Sequence, residues 1–166
     1  MSLSFIIDYQ SHGNNFATIV YNIFSFISGT EFTFAILVAL ILLTFRKANT
    51  FVLIWYVALN TYIMSVGKMA FADPRPTWYT DKIHQLQWKC EYTYGFPSGH
   101  CWIILLLHWA VICDMLGTGP YHLYLSETLI FGIFVPLSRF YLGSHSGDHV
   151  FSSITYGFAF ALMYKF

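Results

Sequence analysis

Three short clusters carry residue types suited to handling a phosphoryl group. Lys68 and Arg75 form the first, Ser98, Gly99 and His100 the second, and Arg139 and His145, with Asp148 and His149 close behind, the third. The second is the most telling locally. Tyr94-Gly95-Phe96-Pro97 ends whatever precedes it, and the apolar run Cys101 to Leu116 follows, so Ser98 to His100 are expected at a helix N-terminus. Free backbone N–H groups and the helix dipole favour an anion there. The same string would also arise from a serine that only caps a buried helix. Its company decides between the two. A phosphoryl group in transfer needs several donors on its equatorial oxygens and an in-line nucleophile. Lys68, Arg75, Arg139, the Ser98 hydroxyl and the Gly99 amide are candidate donors, the two guanidinium groups being able to hold phosphate through paired hydrogen bonds. A lone basic residue at a helix end would merely reach for lipid headgroups; three converging with two histidines would not.

The elements that position these clusters must lie in lipid. The 166 residues are 57% hydrophobic and 20% aromatic but 10% charged, with mean hydropathy +0.57. Soluble domains carry about 25% charged residues, so this chain cannot cover a water-facing surface. Net charge is zero, and no basic patch supports nucleic-acid binding. Cys90, Cys101 and Cys113 show neither a metal spacing nor a disulfide framework. The N-terminus has no basic region ahead of a short apolar core, so no cleaved signal peptide is expected.

In order, residues 1–30 read as an N-terminal interfacial segment, with an amphipathic helix over Phe16 to Ile27. Residues 31–166 read as one membrane domain that carries the three clusters. Phe32 to Phe45 ends in Arg46-Lys47, and Phe51 to Val66 follows; the basic turn between them faces the cytoplasm by the positive-inside rule. The chain emerges opposite at Lys68, returns as Cys101 to Leu116, turns over Gly117 to His122, crosses back as Leu123 to Leu137 and ends with Val150 to Tyr164. The expectation is an all-α, polytopic membrane helical bundle of about five transmembrane helices plus the interfacial helix. Several runs fall short of the roughly 20 residues a span needs, so their ends must extend into flanking polar residues. By this parity, residues 68–76, 97–100 and 138–149 meet at one surface, the lumenal or exoplasmic face, in the endoplasmic reticulum or the plasma membrane.

Lys68-Met69-Ala70-Phe71-Ala72-Asp73-Pro74-Arg75-Pro76, then Pro97-Ser98-Gly99-His100, then Ser138-Arg139-Phe140-Tyr141-Leu142-Gly143-Ser144-His145 resemble the three signature motifs of the type 2 phosphatidic acid phosphatase superfamily. That superfamily includes lipid phosphate phosphatases, glucose-6-phosphatase and the vanadium haloperoxidases. The resemblance covers residues 30 to 164. It implies a phosphoric monoester hydrolase in which His145 attacks phosphorus, His100 protonates the leaving oxygen, and Lys68, Arg75, Ser98, Gly99 and Arg139 bind phosphate. The chemistry suits those types. A neutral imidazole is a good nucleophile near neutral pH, and a second histidine can give and then take a proton. No metal and no cofactor are called for.

One residue departs from the pattern. The family usually carries an acid four positions after the nucleophile, where this chain has His149; the acid is Asp148. Positions three and four along a helix both neighbour the first, so Asp148 is expected to orient His145. Glucose-6-phosphatases resemble this chain in lacking that acid. The expected partners are membrane lipid and a phosphorylated lipid substrate, phosphatidate or a sphingoid-base phosphate, hydrolysed through a phosphohistidine. A sugar phosphate, suggested by the resemblance of Trp78 after Arg75-Pro76 to the glucose-6-phosphatase branch, and an isoprenyl diphosphate are the alternatives, as is a silent membrane subunit that keeps the fold. The aromatic loop Thr77 to Thr93 reads as an interfacial anchor. Haloperoxidase relatives are soluble, which this composition excludes.

Overall fold

The computed structural model describes residues 3–43, 47–106 and 121–165. Their regular elements are all helices, with no strand among the described residues: α1 (Leu3–Ser11), α2 (Asn15–Ile27), α3 (Thr30–Leu43), α4 (Lys47–Phe71), α5 (Pro76–Tyr79), α6 (residues 99–106), α7 (Tyr121–Tyr141) and α8 (Gly147–Lys165), with an irregular loop over residues 80–98. The expected runs over Phe51 to Val66, Leu123 to Leu137 and Val150 to Tyr164 all lengthen into their polar flanks, to 25, 21 and 19 residues. The rest of the Cys101 to Leu116 run and most of the turn after it lie outside the described residues.

Local chemistry sets the ends. Asn14 caps α2, its side chain accepting from the Ala17 N–H at 2.8 Å. Arg75 and Pro76 open α5, with proline at the first helical position where its missing N–H costs nothing. Gly143, at φ +71°, closes α7: its N–H donates to Phe140 O and that of Ser144 to Arg139 O, the paired bonds of a left-handed helix end. That turn delivers His145 within reach of Arg139.

α6 is the centre of the packing. Leu106 joins Leu53, Val57 and Ala161; Cys101 and Ile104 join Val135, Phe140 and Val150; Trp102 and Ile103 join Met64. Each cluster ties α6 to a different set among α4, α7 and α8. At the N-terminal side α2 lies along α7, where Phe24 stacks on Phe134 and edges onto Phe131. Tyr9 and Tyr21 pack around Tyr141.

The outer surface is apolar. Phe51, Trp55, Leu59 and Tyr62 point outward from α4, Phe16 and Ile23 from α2, Ile133 from α7 and Phe158 from α8. The stretch Phe51–Tyr79 is long and apolar enough to cross a membrane, and only 22% of its apolar window is buried, unlike the core helix of a soluble protein. Asn15–Ile27 and Thr30–Ile36, bent by 53°, pass the same test as a pair, and Thr128–Tyr141 is a shorter apolar helix. Among the described residues length and apolarity therefore mark one crossing, or two if the bent pair acts as one, where the sequence led to an expectation of about five. α1, α5 and the described part of α6 are too short to pass, and α8 carries Asp148, His149, Ser152, Ser153 and Thr155 in its first half.

Gly143→Ala should destabilise the fold by about 1–3 kcal/mol, because a Cβ in that left-handed position would also lie 2.6 Å from the His84 carbonyl oxygen. Thermal unfolding in detergent reads this directly; an unchanged midpoint would contradict the role given to the turn.

Candidate active site

The C-terminal ends of α4 and α7 and the N-terminal ends of α6 and α8 face the same end of the bundle, and the three clusters meet there. Ala72, at φ 48°, turns the chain out of α4 toward Asp73 and Arg75. Ser98 is the residue before α6: its carbonyl accepts the first helical bond from Trp102, and its N–H donates to Ser153 Oγ at 2.6 Å. Its own hydroxyl is buried without a hydrogen-bond partner, so Ser98 does not spend that group on capping the helix.

Arg75 is the most heavily bonded of the set. Its Nε donates to Thr93 O at 2.6 Å, Nη1 to Ser144 O at 2.9 Å, and Nη2 to Thr93 Oγ1 at 3.2 Å. Nη1 also lies 3.4 Å from His145 Nε2. Arg139, with no exposed surface, reaches toward the same space with Nη1, while its Nη2 has no hydrogen-bond partner. Lys68 donates to Tyr94 O at 2.7 Å. A small space of about 140 Å³ is lined by Lys68, Gly99, His100 and His145, with Glu91 and Thr93 closing it. Thus Lys68, Arg75, Ser98, Gly99, His100, Arg139 and His145 are brought together.

Asp148 is not brought with them. It is exposed and lines a shallow groove with Phe71, Ala72 and Phe96, whereas His145 is buried and its Nδ1 makes no hydrogen bond. The expected contact from Asp148 to His145 is therefore not made. Three residues along, the helix has just begun, and it turns Asp148 outward and its neighbour inward. His149 takes the inward place: its Nε2 lies 3.0 Å from Asp73 Oδ2 and its Nδ1 accepts from the Ser146 N–H at 3.4 Å. With Nδ1 accepting, Nε2 carries the proton and donates to Asp73. The rings of His145 and His149 stand edge to face, 5.8 Å apart. Gly95 makes room, since a Cβ there would lie 2.4 Å from His149 Cε1.

Sequence reasoning read the loop between α5 and α6 as an anchor and missed Glu91 and Gln87 within it. Glu91 Oε2 lies 2.5 Å from Arg75 Nη2, and Oε1 lies 3.6 Å from Arg139 Nη1 and 4.0 Å from His100 Nδ1. Gln87 donates to Glu91 Oε1 at 2.9 Å and accepts from Ser144 Oγ at 2.7 Å. The available signal was scarcity: with only eight acidic residues in a chain this apolar, a carboxylate in the loop feeding His100 should have drawn notice. Beside the loop lies a larger cavity of about 430 Å³, lined by Asn22, Ser25, Thr30, Gln87 and Trp88 and reaching His100. Among the described residues no three His, Cys, Asp or Glu side chains are grouped to hold a metal ion.

The charges tune one another. Burial, then the cationic Arg75, Lys68 and Arg139, push His145 well below its ordinary range, so its imidazole is neutral. Burial and Arg139 likewise push His100 down, against the pull of Glu91. For Glu91 burial alone would raise the carboxyl, but its Coulombic interactions with His100, Arg75 and Arg139 outweigh that and hold the group at about 2. A neutral nucleophile beside a net positive cradle suits an incoming phosphate.

Residues 49–166 match the family model of the PAP2 superfamily. That span contains Lys68, Arg75, Glu91, Ser98, Gly99, His100, Arg139, His145 and His149. Among solved structures, the crystal structure of Aquifex aeolicus LpxE is similar, with a TM-score of 0.79 at 19% identity, covering 98% of this chain and 93% of that one. At that identity the likeness is one of fold, and it extends through α1 to α3, ahead of the matched residues. No match is found among curated proteins.

Because His145 and His100 titrate below 6.5 when folded, the unfolded chain binds more protons between those values and 6.5. Stability should therefore fall as pH drops below about 6.5, by up to about 1.4 kcal/mol per pH unit for each histidine. The depressed Glu91 carboxyl acts lower: its contribution is present above 4.5 and is lost only as pH falls toward about 2. Unfolding midpoints measured from pH 7.5 to 5.5 should decline, and decline less in His145→Gln. Parallel curves for the two proteins would contradict the assignment.

Proposed function

The chain belongs to the PAP2 superfamily, and from that membership we propose that it is an integral membrane phosphatase that hydrolyses lipid phosphate monoesters, phosphatidate or a sphingoid-base phosphate, through a phosphohistidine at His145. The observation that carries this reading is the convergence of two buried guanidinium groups on a buried, neutral histidine beside His100. The reading includes a multi-pass topology in which this end of the bundle lies at the lumenal or exoplasmic surface, where a headgroup can reach it while its acyl chains stay in lipid.

In the proposed reaction Arg75, Arg139, Lys68, the Ser98 hydroxyl and the Gly99 amide hold the phosphoryl oxygens. His145 Nε2, which faces Arg75, forms a bond to phosphorus as the ester bond opposite it breaks, and His100 gives its proton to the leaving oxygen. The dianionic phosphate favours the protonated form of His100 that burial opposes in the free site. In the second half, neutral His100 takes a proton from water, the oxygen attacks phosphorus, and the bond to His145 breaks to release orthophosphate. Asp73 and His149 hold Ser146, next to the nucleophile, in place of an acid on His145 itself. None of these steps requires a metal.

A second reading, a water-soluble sugar phosphate as substrate, draws on the 430 Å³ cavity, whose Asn22, Ser25, Thr30 and Gln87 side chains would suit a hydroxylated leaving group. One assay separates the two: phosphate release by the detergent-purified protein from phosphatidate, sphingosine 1-phosphate, glucose 6-phosphate and an isoprenyl diphosphate. The lipid monoesters should be the best substrates, His145→Ala should abolish release, vanadate should inhibit competitively and EDTA should not. Preference for glucose 6-phosphate would move the assignment to the second reading, and no release above His145→Ala from any of them would identify a silent subunit. Asp73→Ala should lower kcat by about tenfold or more with KM little changed, while Asp148→Asn should leave both near the parent values.

A further inference from the structure

The cradle already holds an anion of the chain's own. The Glu91 carboxylate sits between Arg75 and Arg139 and faces His100, steadied by Gln87. It borders both the 140 Å³ space against His145 and the 430 Å³ cavity, which share Thr30, Thr93 and His100 as lining as well. Anything passing from one to the other meets it.

Its fit is incomplete. Two oxygens in a plane pair closely with Arg75 and stand 3.6 Å from Arg139 Nη1, but Arg139 Nη2 and Ser98 Oγ stay buried with no hydrogen-bond partner. Unsatisfied buried donors are costly and uncommon. A phosphoryl group is tetrahedral, carries up to two charges and offers more acceptors, so it can reach groups the carboxylate leaves open. Conversely, two buried guanidinium groups without any anion would be costly to keep. Glu91 relieves that cost in the free protein, and its ionised form is held there by the same cations.

We propose that Glu91 is an internal competitor of the phosphoryl group, occupying the cradle between turnovers, yielding it to substrate, and expelling orthophosphate when it returns. The inference rests on the reading of this cradle as the phosphate site. It answers a problem that such a site creates: donors set for the three equatorial oxygens of the transition state also hold the product, which keeps those oxygens. A tethered carboxylate is always at hand at high effective concentration and speeds the exchange.

Orthophosphate binding to the detergent-purified full-length chain, measured by titration calorimetry, tests this without requiring turnover. Glu91→Gln, which keeps the shape and removes the charge, should bind orthophosphate about tenfold or more tighter than the parent. In steady state its KM and its inhibition constant for orthophosphate should fall together, with kcat lowered because release slows. Glu91→Asp, whose shorter arm keeps the charge but cannot reach both guanidinium groups, should lie between, and it decides alone if Glu91→Gln does not fold. Binding that is unchanged or weaker in the variant read overturns the competitor. The two ideas fail separately: tighter binding in Glu91→Gln with no phosphate release from the parent keeps the competitor and removes catalysis, whereas normal release with no tightening does the reverse.

Discussion

A buried guanidinium cannot be left without acceptors, and the demands of Arg75 organise this end of the molecule. Its three nitrogens reach the backbone of Thr93, Tyr94 and Ser144, the Thr93 hydroxyl and the Glu91 carboxylate. Those partners belong to the loop before α6 and the turn after α7, while Arg75 itself stands at the start of α5. One side chain therefore joins the three segments that carry Lys68, His100 and His145. Asp73 and His149 repeat the link a few ångströms away, with Asp73 O accepting from the Gly95 N–H at 2.7 Å as well. The geometry of the nucleophile depends on these cross-links more than on any bond to its own ring, whose Nδ1 is unpaired.

Behind the polar end, α6 makes that arrangement rigid. Its buried residues enter each of the three apolar clusters, so the helix that begins at Gly99 cannot shift without disturbing α4, α7 and α8 together. Trp102 adds a polar fix, donating from Nε1 to Asn60 Oδ1 at 3.2 Å across to α4. The outward faces of α2, α4, α7 and α8 carry large apolar side chains instead of charges. A site whose chemistry needs buried cations is thus held at the end of a bundle whose sides are suited to lipid.

Much of this was legible in the sequence because charge is so scarce in it. Lys68, Arg75, Ser98, His100, Arg139 and His145 stand at the ends of apolar runs, and alternating the direction of those runs is enough to bring them together. The residues that escaped notice were those whose role depends on loop conformation. Glu91 and Gln87 belong to an irregular stretch whose aromatic residues suggested only an anchor, and no periodicity tells which way its side chains turn. Asp148 and His149 show the same limit at finer scale: both neighbour His145 on an ideal helix, but α8 starts only at Gly147, and the turn before it decides which faces inward. The packing of α2 along α7 likewise follows from aromatic contacts between segments more than a hundred residues apart, such as Phe24 with Phe134, which no local pattern encodes.

The central claim is that phosphorus passes through His145, and the most direct measurement is to stop the reaction of the purified protein with head-group-labelled phosphatidate within milliseconds and map any label bound to the chain. The account predicts an acid-labile, base-stable label on the peptide that contains His145, gone in His145→Ala. Phosphate release that proceeds with the label on another residue, or with none on the chain at any time, would contradict it.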